Sequence, residues 1–165
     1  MKHRICLALA VASVVAHSRT ALAAPVKACD VMTVQAASSV FGDKLSAGRE
    51  ESLDMGAQRC TFDRSDSTTP GKLAFTVSDA KTMAASLHSD IPGLTRFIKQ
   101  SERGQTSETI PSLGEWNSYV WDGNKEYTLA VLYRGKVLFL VCSGPKNPHP
   151  EALMVRTMRA NMQKL

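Results

Sequence analysis

Residues 118–142 read Ser118-Tyr119-Val120-Trp121-Asp122-Gly123-Asn124-Lys125-Glu126-Tyr127-Thr128-Leu129-Ala130-Val131-Leu132-Tyr133-Arg134-Gly135-Lys136-Val137-Leu138-Phe139-Leu140-Val141-Cys142. Aromatic and branched apolar residues fill three segments, Ser118–Trp121, Tyr127–Tyr133 and Lys136–Cys142, each of strand length. Asp122-Gly123-Asn124 is a strong hairpin turn, and Arg134-Gly135 joins the second pair. Strands linked by turns this short pair antiparallel. This stretch therefore sets the architecture: an antiparallel sheet that needs helices to cover it.

The flanks extend the pattern. Arg59–Arg64 alternates Cys60 and Phe62 inward against Thr61 and Asp63 outward, and Leu73, Phe75 and Val77 alternate in a further strand. Gly48–Gly56 is polar, a loop with a weak strand. Thr33 can cap a helix over Val34–Phe41, stopped by Gly42, with Ala37, Val40 and Phe41 on one face. Asp79 can cap a helix from Ala80 to His88. A second piece runs from Gly93 to Gln100 behind Pro92, with Leu94, Phe97 and Ile98 as its apolar stripe. Ser101–Thr109 reads as loop. Pro150 suits the first turn of a last helix over Glu151–Gln163. The expected fold is α+β: an antiparallel sheet of five to six strands with about three helices on one face. Seven of the ten aromatic residues lie at or after Phe97, which places most of the core in the C-terminal half.

A chain of 165 residues, 44% hydrophobic and 21% charged, is globular and supports one domain. Residues 1–23 carry a secretory leader pattern: basic Lys2 and Arg4, an apolar run from Ile5 to Ala16, and small residues at Ala21 and Ala23. The run is too short to span a bilayer. The mature domain is then 24–165, periplasmic or extracellular, with no stable membrane insertion. Removing the leader takes away Lys2, Arg4 and Arg19 and lowers the net charge from +5 to +2. Lipidation at Cys29 is disfavoured by Lys27 two residues before it.

Cys29, Cys60 and Cys142 remain after the leader. Three pairings are open. Cys29–Cys60 is preferred because it ties the first helix to an early strand, leaving Cys142 as a buried thiol in the most apolar strand.

Catalytic signatures are absent: there is no Gly-x-Ser-x-Gly elbow, His-Glu-x-x-His motif or Walker loop. The mature chain has two histidines, His88 and His149, read as surface or capping residues. A dispersed Ser/His/acid site is the enzymatic alternative. No catalytic residue and no cofactor is assigned. Asp122, Asn124 and Glu126 have the every-other-residue spacing of part of a calcium loop, but a hairpin turn explains them with fewer assumptions. Met154, Met158 and Met162 lie along one helical face. Thioethers bind Cu(I), so a copper-binding accessory protein is a further alternative. The simpler reading makes them the buried side of the last helix, since a straight stripe spreads sulfurs about 6 Å apart per turn instead of converging them. Arg156, Arg159 and Lys164 form a solvated face opposite them, and a mature charge of +2 argues against nucleic acid. Trp116, Tyr119 and Trp121 gather near the Leu113-Gly114 turn and are the candidate binding surface, against core packing for Tyr119 and Trp121.

Three segments carry a family resemblance. Cys29-Asp30-Val31-Met32-Thr33 opens the first helix, Cys60-Thr61-Phe62 opens a strand, and Ile110-Pro111-Ser112-Leu113-Gly114-Glu115-Trp116-Asn117-Ser118-Tyr119 leads into an aromatic strand. This order resembles small secreted proteins and lipoproteins of bacteria that carry a domain of unknown function. Ser112 stands where that pattern has Gly, and Glu115 where it has Asp. The resemblance implies an α+β envelope domain with a bridge between the first two mature cysteines, and no activity. The functional expectation is a non-catalytic module binding an envelope protein or a small ligand.

Overall fold

The structure, a computed structural model, describes residues 26–64, 71–102, 105–121 and 125–165. The expected leader, and the turn residues Asp122 and Asn124, lie outside the described residues. The chain runs α1 (Ala28–Val31), α2 (Val34–Phe41), β1 (Arg49–Ser52), a 3-10 turn (Asp54–Gly56), β2 (Gln58–Asp63), β3 (Lys72–Asp79), α3 (Ala80–Ser86), α4 (Ile91–Ser101), β4 (Thr106–Glu108), β5 (Trp116–Trp121), β6 (Glu126–Tyr133), β7 (Lys136–Ser143) and α5 (Glu151–Met162). One seven-stranded sheet has the order β1-β2-β3-β7-β6-β5-β4, with every pairing antiparallel.

Local chemistry sets the element ends. Thr33 Oγ1 accepts from Ala36 N–H at 3.3 Å, and Gly42 ends α2 at φ +80°. Asp79 Oδ1 accepts from Thr82 N–H at 2.9 Å and opens α3 straight from β3. Asp90 caps α4 through Gly93 N–H at 2.7 Å, two residues earlier than Pro92 suggested. Arg134 and Gly135, at φ +48° and +71°, make the tight β6–β7 turn and pair Tyr133 with Lys136.

The expected architecture holds as α+β with one antiparallel sheet. Its details need correction. Among the described residues there are seven strands and five helices, where five to six and about three were expected. The helices also lie on both faces. Cys60, Phe62, Leu73, Phe75, Leu129, Val131, Leu138 and Leu140 join α1, α2 and α5 in the larger core. The alternate residues Ala130, Leu132, Val137 and Phe139 meet Ala80, Met83 and Ala84 of α3 and Leu94 and Ile98 of α4 in a smaller one. The physical reason is that β6 and β7 are apolar on both sides, so each needs two cover layers. The core is not concentrated in the C-terminal half either. Phe41, Phe62 and Phe75, all before Phe97, are fully buried, whereas Phe97 is 54% exposed. Leu94 and Ile98, four residues apart, form the buried line of α4, and Phe97 falls beside it.

Cys29 and Cys60 are joined in a disulfide, and Cys142 is a free, buried cysteine. Gly48 lies over the bridge: a Cβ there would come within 2.5 Å of Cys60 Sγ and 3.0 Å of Cys29 Sγ. Glu50 of β1 accepts from Ala28 and Cys29 N–H at 2.7 Å each, fixing the start of α1 beside the bridge. At the other end of the chain, Lys164 donates to the Val31 carbonyl and closes α5 onto α1. No helix among the described residues is long and apolar enough to cross a membrane.

Candidate functional site

The second face of the sheet is unequally covered. α3 leaves the end of β3 and turns with α4 over Ala130, Leu132 and Val137. Further along β3 and β7, Ala74, Phe139 and Val141 stay partly exposed. The strand register places them side by side: Thr76 opposite Phe139, and Ala74 opposite Val141. They form the floor of a groove of about 530 Å³. Its walls are Leu53, Asp54 and Met55 from the 3-10 turn, Met83 from α3, and Arg59 from β2, with Lys72 at one end.

The wall is built with an unusual backbone. Met55 has φ +61° and is followed by Gly56 at φ +68°. A side chain at positive φ is costly for a residue other than glycine, and such positions gather at functional sites. The turn leaves Met55 42% exposed at the edge of the groove. Flexible thioethers from Met55 and Met83 suit a surface that adapts to an apolar guest.

Arg59 is the charged feature of this wall. It is partly buried, and its Nε donates to Thr76 Oγ1 at 3.4 Å. No ion pair to Arg59 exists among the described residues. Glu51, its cross-strand neighbour in β1, is instead bound to Arg49 Nε at 3.0 Å.

The residues singled out from the sequence fall elsewhere. Tyr119 and Trp121 pack on the larger core, with ring centroids 5.7 Å apart, and Tyr127 stacks on Tyr119 at 6.4 Å. Burial raises the Tyr119 hydroxyl well above the ordinary tyrosine pKa. Trp116 packs against the smaller core, on the opposite face. The alternation of β5 thus splits the three aromatics, and they do not make one wall. Met154, Met158 and Met162 are buried in the larger core and leave no open thioether row for a copper ion. Cys29, Glu50 and Cys60 come close together, but both sulfurs belong to the bridge.

His88 follows α3 and His149 precedes α5, and both are exposed. Among the described residues neither imidazole is hydrogen-bonded to a serine or an acid. Burial pushes the Cys142 thiol up to about 12, the opposite of what a thiolate nucleophile requires. A second hollow of about 410 Å³ lies between Ile110 and α5, rimmed by Glu151, Arg156 and Arg159. Arg159 there is bound to the Pro111 carbonyl at 3.2 Å, and the hollow is open and mixed in charge.

Comparison with family models, curated proteins and solved structures returned no match. The groove therefore stands on its chemistry alone. Sequence reading missed it because Arg59, Ala74 and Thr76 look like the outward, solvated members of alternating strands. The one available signal was the unbroken apolar run Val137–Val141, which is too apolar for a strand with one wet face.

Proposed function

We propose that this chain is an exported, non-catalytic binding module of the bacterial envelope, and that the groove on the second face of its sheet holds an apolar ligand. The observation that carries this reading is the uncovered floor of Ala74, Phe139 and Val141 within a walled space of about 530 Å³. That volume falls in the range of roughly 300–1,000 Å³ used by small-molecule sites. The Cys29–Cys60 bridge supports an oxidising compartment, the periplasm or the exterior. The leader read over residues 1–23 supplies the route, and the resemblance to bacterial envelope proteins agrees with both.

The neutral dye N-phenyl-1-naphthylamine tests the reading. Its fluorescence should rise on titration into the purified chain. Ala74→Trp, which fills the floor, should abolish the rise while far-UV circular dichroism remains unchanged. An equal rise with native and variant chains would place the dye elsewhere and remove the groove from consideration.

A further inference from the structure

Resting on the groove reading above, we infer that the ligand is an apolar monocarboxylic acid, with its carboxylate on Arg59 and its body along Ala74 and Val141. Arg59 stands beside Thr76, with Phe139 next in the same cross-strand row, and the groove's apolar floor leaves it partly buried. Only Nε is engaged, by a long hydrogen bond to Thr76. The two terminal nitrogens have no carboxylate within reach among the described residues. A guanidinium presents a planar fork that matches a carboxylate with two parallel hydrogen bonds.

The surrounding acids do not fill this place. Glu51 is held by Arg49 at 3.0 Å, and Asp63 meets the same Arg49 at 3.5 Å. Asp54 lines the wall without forming an ion pair to Arg59. Lys72, exposed four residues along β3 from Thr76, adds positive potential at the other end. The groove is thus apolar along its floor and cationic at its margin, which complements an anion with an apolar body. A neutral hydrocarbon would leave Arg59 partly desolvated with nothing gained.

The test is displacement of N-phenyl-1-naphthylamine by decanoate and by decan-1-ol, which share a chain and differ in charge. Decanoate should displace the dye at least about tenfold more effectively, and Arg59→Gln should erase that preference. Raising the salt concentration should weaken decanoate and leave decan-1-ol unaffected, a readout that needs no variant. Equal displacement by acid and alcohol, insensitive to salt, would overturn the carboxylate inference and leave the groove reading intact. Failure of both to displace a dye that Ala74→Trp also fails to exclude would overturn the groove itself. Retention on phosphatidylglycerol vesicles without any response to decanoate would assign the face to a membrane surface and likewise overturn the inference.

Discussion

Asn117 does more for this molecule than its place in an aromatic strand suggests. Its side chain is buried on β5, where Nδ2 donates to the carbonyls of Ile110 at 2.9 Å and Leu113 at 2.7 Å. Its Oδ1 accepts from Ile110 N–H at 2.7 Å. One amide therefore folds the whole 110–117 turn onto the sheet and satisfies three backbone groups that would otherwise be stranded. Asn117→Ala should cost about 2–3 kcal/mol, since it leaves buried polar groups unpaired. Urea unfolding should show a lower midpoint at unchanged slope. The neighbouring residues Leu113, Gly114 and Trp116 were visible as a turn leading into a strand. The load carried by Asn117 was not, because an asparagine in a turn gives no sign of which carbonyls it will meet.

Helix α3 depends on a single acid at the end of β3. The backbone N–H of Thr82 holds the Asp79 carboxyl below the usual carboxylate range, aided by the Thr82 hydroxyl and Lys136. A depressed folded-state pKa contributes stability that is present above the unfolded pKa and is lost as the pH falls through the folded value. Asp79→Asn should therefore be less stable than the native chain at neutral pH. The gap should narrow as the solution is taken below about pH 4. Thermal melts across that range check the sign: a gap that widens in acid would refute the assignment. Caps such as Thr33 and Asp79 were readable because one side chain acts on the next turn. Strand β4 was not, since Thr106–Glu108 is wholly exposed and has no alternation to detect. The second helical layer was half-signalled. Alternation in Cys60/Phe62 and Leu73/Phe75/Val77 pointed to one wet face, and the two-sided apolarity of β6 and β7 contradicted it.

Across the whole molecule, the disulfide joins α1 to β2, the strand next to the sheet edge, across a sequence separation of 31. Loop-closure arithmetic gives this link about 3–4 kcal/mol of stabilisation. The double variant Cys29→Ala, Cys60→Ala should lose about that amount in a denaturant titration. Dithiothreitol should lower the melting temperature of the native chain and leave the variant unchanged. The pairing could be preferred from the sequence because it ties a first helix to an early strand. The binding groove could not, because its floor comes from β3 and β7, about 65 residues apart along the chain, and its wall from a turn and a helix elsewhere. The strand order carries one more consequence. β7, the seventh of the described strands in chain order, is the central one, between β3 and β6. Until residues 136–143 emerge, the two halves of the sheet have no common partner. A polypeptide built this way stays unfinished until its seventh strand is in place, and the sheet closes through that late, long-range pairing.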